Sequence, residues 1–234
     1  MSNFQLPMSN YCGTWWTIML RPIYFYTRLK EESWQKDATS FALITSWLIG
    51  FLTAVIIFIL HYIPIGSTLV EKVAGYKLII VAPVIFMLAL AFFMMTFMIV
   101  SGLLVIGVFS SMLATGCFLH YMYIKMGGKG SLNRMLQDML YSSAVLPMAS
   151  LILIFTFFTK YGGMGFAVFR GGYNFFYLLS LIYFYGLWAI AGRKVYGIPK
   201  WKAFACAIIP VIVLLIFGLV FDKIMLPRLQ PWIS

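Results

Sequence analysis

Long apolar segments separated by short polar intervals dominate the chain. The longest, Leu78 to Ile124, runs for 47 residues without an Asp, Glu, Lys or Arg. As one helix it would measure about 70 Å, roughly twice the thickness of a bilayer's hydrocarbon core. Lipid offers no hydrogen-bond partners to an open backbone, so such segments must be helical. The pattern predicts an all-α, polytopic helical membrane protein.

Five apolar segments are long enough to cross a bilayer, which takes about 20 residues. In chain order they are residues 40–63, 78–124, 141–159, 173–192 and 203–221. The polar intervals are too short for a separate soluble domain. We therefore expect a single membrane-embedded domain over residues 1–234, with residues 1–38 forming a cytoplasmic or interfacial N-terminal region.

The topology depends on whether residues 78–124 cross once or twice. Lys and Arg near span ends accumulate on the cytoplasmic side. One crossing places 11 of the 17 Lys and Arg residues inside, whereas two crossings give 8 inside and 9 outside. We expect five spans, with the N-terminus inside and a break near Pro83 that absorbs the surplus length. Six spans are the alternative.

Two shorter segments have the pattern of amphipathic helices that lie at a membrane surface. The first begins at Pro22, a residue favoured at the start of a helix, and carries Tyr26, Leu29 and Trp34 among charged residues that include Glu31 and Glu32. This mixture predicts an interfacial helix that leads into the first span.

The second interfacial helix is predicted to follow Ser131, a good N-cap residue. Its apolar positions recur with helical spacing and its polar positions lie opposite. The apolar set is Leu132, Met135, Leu136, Met139 and Leu140, and the polar set is Asn133, Arg134, Gln137 and Asp138. On an exposed face the Arg134–Asp138 pair would contribute only a few tenths of a kcal/mol.

A glycine-rich stretch, Gly127, Gly128, Lys129, Gly130 and Ser131, precedes this helix. Its glycine-to-lysine spacing does not fit a phosphate-binding loop, and no strand is expected before it. We expect a flexible cytoplasmic turn between a span and the amphipathic helix.

Gly107, Ser111 and Thr115 recur every four residues inside the longest segment. They share one side of a helix and form a strip of small residues that lets another backbone approach closely. We expect helix packing there, in the first place against the same chain and otherwise against another subunit.

Composition and charge narrow the possible functions. Hydrophobic residues make up 63% of the chain, charged residues 10%, and the net charge is +11. The basic residues stand in short clusters beside apolar spans, which favours anchoring and contact with anionic lipids over nucleic-acid binding. His61 and His120 lie in different spans, and all six acidic residues fall in loops or at predicted span ends. We expect no catalytic residue, no metal site and no cofactor.

Several stretches, taken in order, resemble those of the Yip-domain family, the Ypt/Rab-interacting membrane proteins, and particularly its bacterial branch. They are Leu20 to Tyr26, His120 to Ser131 with the helix that follows, Tyr141 to Pro147, and Gly197 to Ala203 leading to Pro210. The resemblance implies about five spans and a cytoplasmic N-terminus. Eukaryotic members are linked to Rab-type GTPases through a longer N-terminal region. The short N-terminal region here favours a bacterial plasma membrane, with a eukaryotic Golgi or ER membrane as the alternative.

These observations favour a non-enzymatic membrane protein that acts as a scaffold or as an accessory subunit of a trafficking or export complex. Its expected partners are membrane lipids and other membrane subunits, or copies of itself. The alternative is a transporter or channel for an apolar or weakly polar solute. Its lining would come from the small polar residues Thr45, Ser46, Thr53, Ser110, Ser111, Asn174 and Ser180.

Overall fold

Helices make up nearly all of the computed structural model, which describes residues 11–30, 34–73 and 77–233. Glu31 and Glu32 of the first predicted interfacial helix lie outside these ranges. The described helices are α1 Tyr11–Leu20, α2 Pro22–Arg28, α3 Asp37–Ile57, α4 Ile63–Glu71, α5 Lys77–Lys125, α6 Leu132–Ser142, α7 Leu146–Ser150, α8 Ile152–Tyr161, α9 Phe166–Val195, α10 Lys200–Val220 and α11 Leu226–Ile233.

In the described part of the chain, five continuous helical segments are long and apolar enough to cross a membrane, and each is called a column below. They are Asp37–Thr68, Ile79–Lys125, Leu132–Tyr161, Phe166–Val195 and Lys200–Pro231. The predicted all-α fold with five spans is confirmed. The third column begins at Leu132 and not at Tyr141, because the second amphipathic helix continues directly into the span.

Prolines explain where the columns depart from regular α-helix. A proline removes a backbone donor and its ring presses on the carbonyl four residues earlier. Wide π-helical turns at Phe58–Tyr62 and Phe221–Met225 come just before Pro64 and Pro227, and a tight 3₁₀ turn at Ser143–Val145 comes just before Pro147. These turns rearrange the backbone bonds that each proline disrupts.

The predicted break near Pro83 is wrong. Helix α5 runs unbroken through Pro83 for 49 residues, which is about 73 Å at 1.5 Å per residue. Pro83 lies in the second turn, where the carbonyl that it frees belongs to Ile79 near the helix start. The surplus length is therefore taken up by one long helix and not by a re-entrant segment.

Neighbouring columns pack at specific close approaches. Helix α3 lies against α5, where a Cβ added to Gly50 would be 2.3 Å from the Ser101 Oγ atom. Helix α9 lies against both α10 and α5, and a Cβ on Gly192 would be 2.5 Å from the Tyr123 ring. Glycine is required at these two positions because a side chain would push the helices apart.

The buried core is concentrated at one end of the bundle. This end, called the basic end below, is formed by residues 21–30, 34–36, 125–134 and 193–202 and holds 11 of the 17 Lys and Arg residues. Helices α1 and α2 pack against the core at this end. The largest fully buried side chains there include Tyr123, Tyr141 and Trp188. The opposite end, the far end, has a much smaller cluster around Phe169 and Leu226.

Candidate functional site

The polar face of α6 is buried against α2 and does not face solvent. Arg134 is 6% exposed and Asp138 is fully buried. The Arg134 Nη2 atom donates to the Tyr26 carbonyl oxygen at 3.1 Å, and its Nε atom lies 3.4 Å from the Asp138 Oδ1 atom. The Arg134–Asp138 pair is present, but the expectation that it is exposed is wrong. Removing either partner would leave a charge inside the fold.

Further hydrogen bonds join the two predicted interfacial helices. Gln137 donates to the Lys30 carbonyl at 3.2 Å, and the Asn133 side-chain oxygen accepts from the Trp34 backbone N–H at 3.4 Å. Burial raises the pKa of the Tyr26 hydroxyl well above its usual value, and the nearby Asp138 charge raises it further. That hydroxyl is neutral at any physiological pH and donates to the Asp138 carbonyl at 3.4 Å.

Contact between the two helices buries some of their predicted apolar residues and leaves others partly or fully exposed. Met135, Leu136 and Met139 of α6 are buried, as is Tyr26 of α2. The other predicted positions are less covered: Pro22, Leu29 and Trp34 are half-buried, and Leu132 is exposed. The two segments form one docked unit at the basic end and are not independent surface helices.

Tyr196 holds the glycine-rich turn in place. A Cβ on Gly128 or Gly130 would lie 2.8 Å from the Tyr196 side chain, so both glycines let the ring sit directly on the backbone. The Lys129 N–H donates to the Tyr196 carbonyl at 3.2 Å, and Gly127 has a left-handed φ of 92°. The expected turn is present between α5 and α6, but packing fixes its conformation where flexibility was expected.

The Tyr196 hydroxyl ties this turn to α5. It lies 2.5 Å from the His120 Nδ1 atom and donates to the Ser131 carbonyl at 3.3 Å. Burial, reinforced by the charge of Asp138, raises the pKa of Tyr196, so the hydroxyl stays protonated. Ser131 caps α6 as expected, its Oγ accepting from the Arg134 N–H at 3.2 Å. Sequence reasoning missed Tyr196 because nothing local marks a loop tyrosine as a packing partner.

The strip of small residues faces away from the rest of the chain. Gly107 and Ser111 are exposed, and Thr115 is half-buried. No atom of the described residues comes within 4 Å of a Cβ added to Gly107. The Ser111 hydroxyl donates back to the Val108 carbonyl at 3.0 Å. Same-chain packing, which the sequence favoured, is not found at Gly107, so a partner for this strip would have to be another molecule.

Most of the hydroxyls considered as a channel lining bond to their own helices. Thr45, Ser46 and Thr53 donate to the carbonyls of Phe41, Ala42 and Ile49, four residues earlier in each case. Ser180 does the same with Phe176. Thr45, Ser46 and Ser180 are buried by neighbouring helices. Ordinary helix hydrogen bonding accounts for these residues.

An ion pair that the sequence analysis missed lies at the far end. The Arg170 Nε and Nη2 atoms donate to the two Asp222 carboxylate oxygens at 2.6 and 2.5 Å, and Asn174 donates to the first of these oxygens at 3.4 Å. Asp222 lies near the end of the last column and Asp138 near the start of the third, which fits the expectation that acidic residues fall in loops or at span ends. Neither carboxylate faces water, since Asp222 is 6% exposed and Asp138 is fully buried. A local sign of this site was present in the sequence: Arg170 and Asn174 are four residues apart, so they place two polar side chains on the same side of a helix.

Within the described ranges, no group of three or more His, Cys, Asp or Glu side chains lies close enough together to hold a metal ion. The three hydrogen-bonded or ion-paired side chains described above instead join helices to one another. Arg134 joins α6 to α2, Tyr196 joins the loop after α9 to α5 and α6, and Arg170 joins α9 to the last column.

A comparison with protein-family models finds a match over most of the chain. The Yip1 domain family model matches residues 16–221, which covers all five columns up to the last wide turn. No curated protein and no solved structure matches the chain.

Proposed function

This chain belongs to the Yip1 domain family, and from that membership we propose that it is a non-enzymatic membrane protein that acts by association. In this proposal it serves as a scaffold or as an accessory subunit of a trafficking or export complex. Its partner is either another membrane subunit or a second copy of the chain.

The exposed side of α5 is the observation that carries this proposal. No residue of α5 is buried between Ile79 and Val100, and further along the helix Gly107 and Ser111 are exposed, whereas 44% of the most apolar part of α9 is buried. Lipid can cover large apolar side chains as well as another helix can. A strip with Gly107 and Ser111 at its surface leaves the backbone accessible, and close helix packing covers such a strip better than lipid tails do. The proposal places the partner helix on this strip.

The test compares the same substitution on two sides of one helix. Gly107→Leu fills the strip, while Gly102→Leu adds the same side chain about 140° away around the helix. Neither added Cβ would meet an atom of the described residues within 4 Å, so both variants should fold. After purification in mild detergent, wild type and Gly102→Leu should run as a defined homo-oligomer or with a stoichiometric partner, and Gly107→Leu should run as a monomer.

A wild-type protein that is monomeric in mild detergent and in lipid nanodiscs would overturn the proposal. Equal loss of association in both leucine variants would also contradict it, because the effect would not then depend on the strip. Light scattering combined with size exclusion gives the mass of each species, and native mass spectrometry gives its stoichiometry.

We also propose a bacterial plasma membrane location, with the basic end and the N-terminus in the cytoplasm. The concentration of Lys and Arg at the basic end supports this orientation, because Lys and Arg near span ends accumulate on the cytoplasmic side. Cys12 on α1 and Cys117 on α5 are exposed, while Cys206 is buried. In a Cys117→Ser background, Cys12 of intact cells should react with a membrane-permeant thiol reagent and not with an impermeant one. Reaction of Cys12 with the impermeant reagent would place the N-terminus outside.

A further inference from the structure

An open groove of about 540 Å³ lies at the basic end, where α1 and α2 pass beside α9. The groove is lined by Leu20, Arg21, Pro22, Ile23, Tyr24, Thr27, Arg28 and Ile190.

The chain forms this groove because it turns sharply between the two helices. Helix α1 ends at Leu20, Arg21 is non-helical with φ −134° and ψ 55°, and Pro22 starts α2 with its φ already set. The turn directs Leu20 and Ile23 outward, where they are 61% and 53% exposed. The next residues along α2, Phe25 and Tyr26, face the core instead.

Two arginine side chains flank this apolar surface. Arg21 lies at the turn, and Arg28 is held over the Tyr24 ring, 4.3 Å from its centroid, while donating to the Tyr24 hydroxyl at 2.5 Å. Helix α9 continues from Ile190 to Arg193 and Lys194, which are exposed and lie on the same side of α9 as Ile190. Among the described residues, none that lines the groove is acidic.

We propose that this groove binds one anionic glycerophospholipid. The phosphate lies between Arg21 and Arg28, and an acyl chain runs along Leu20, Ile23 and Ile190. A guanidinium matches a phosphate with paired hydrogen bonds, which favours arginine in this role. The apolar lining selects a lipid over a soluble phosphate, because a soluble anion gains nothing from Leu20 and Ile23.

The experiment uses the full chain in neutral nanodiscs doped with phosphatidylglycerol, and native mass spectrometry counts the retained lipid. Arg21→Gln/Arg28→Gln removes the phosphate contacts. Lys125→Gln/Lys129→Gln removes the same charge from exposed positions at the same end, outside the groove. Wild type and the lysine variant should retain one phosphatidylglycerol. The arginine variant should bind it about 30-fold more weakly.

A second variant tests the apolar half of the groove. Ile23→Gln keeps both arginines and changes an exposed side chain, so it should fold as wild type does. It should weaken binding of long-chain phosphatidylglycerol more than that of a short-chain form. Glycerol phosphate at the same concentration should not displace the lipid.

Three results would overturn the proposal. If both double variants lose the lipid equally, the interaction is general surface electrostatics. If glycerol phosphate competes as well as the lipid does, the groove is a soluble-anion site. If phosphatidylcholine binds as tightly as phosphatidylglycerol, the arginines do not select charge.

Discussion

Arg170 on α9 and Asp222 in the last column form a two-pronged ion pair, with both guanidinium–carboxylate contacts at 2.5 to 2.6 Å. The pair lies at the far end, where buried apolar contacts are few. A bidentate pair fixes both the distance and the rotation of its two partners. It therefore sets the register between α9 and the last column where packing does so only weakly.

Breaking this pair should lower the thermal midpoint in mild detergent. Asp222→Asn removes the charge that Arg170 binds, and Arg170→Gln leaves the nearly buried Asp222 without its cation. We expect each single variant to melt a few degrees lower than wild type, and the double variant to melt higher than the sum of the two losses predicts. Arg228→Gln, an exposed charge further along the same column, is the control and should melt like wild type. Additive losses would show that the two residues do not interact.

The Arg134–Asp138 pair should matter more, because both residues are buried. Arg134→Gln leaves the Asp138 charge inside the fold, which typically costs about 3–5 kcal/mol. Adding Asp138→Asn removes that charge and should recover part of the loss. Chemical or thermal unfolding of the single and double variants measures this, with exposed Arg228→Gln as the control. A double variant as unstable as Arg134→Gln would contradict the account.

Gly192 should tolerate no side chain. A Cβ there would lie 2.5 Å from the Cζ atom of the Tyr123 ring, and that tyrosine is itself fixed by donating to the Trp188 carbonyl at 2.9 Å. Gly192→Ala should destabilise the protein by about 1–3 kcal/mol, the usual cost of overpacking. Gly186→Ala on the same helix meets no atom within 4 Å and should be neutral or slightly stabilising. Equal melting temperatures for the two variants would contradict this prediction.

Tyr196 should control the mobility of the turn at Gly127 to Ser131. Tyr196→Phe keeps the ring but loses the contact with His120 and the hydrogen bond to Ser131, a change of about 1 kcal/mol. Tyr196→Ala also removes the ring that covers Gly128 and Gly130, at about 3–5 kcal/mol.

Hydrogen exchange of the peptide covering residues 127–131 gives the readout. Exchange should be slowest in wild type, faster in Tyr196→Phe and fastest in Tyr196→Ala. Tyr121→Phe, which changes an exposed ring on α5, is the control and should exchange like wild type. Unchanged exchange in Tyr196→Ala would mean that the turn is held by other contacts.

Sequence reasoning recovered the features that depend on local composition. Five apolar columns, the Ser131 cap and the turn at Gly127 all appear where the sequence predicts them. The predicted break at Pro83 is wrong, because the effect of a proline depends on its position in the helix. A proline in the second turn frees a carbonyl near the helix start, so α5 continues through it.

The polar face of α6 shows why the remainder could not be predicted. Its amphipathic pattern is correct, and the default partner of a polar face is water. Here the partners are the carbonyls of Tyr26 and Lys30, more than a hundred residues earlier in the chain. No local pattern identifies such partners.

The fold class follows from the sequence alone, because an uncharged run such as Leu78 to Ile124 has only helix available to it in lipid. The tertiary structure alone decided which polar groups are buried and which small residues stay uncovered. Those outcomes depend on how helices distant in the chain meet: Arg134 is buried because α2 folds back over it, and Gly107 is exposed because no other described helix reaches that side of α5.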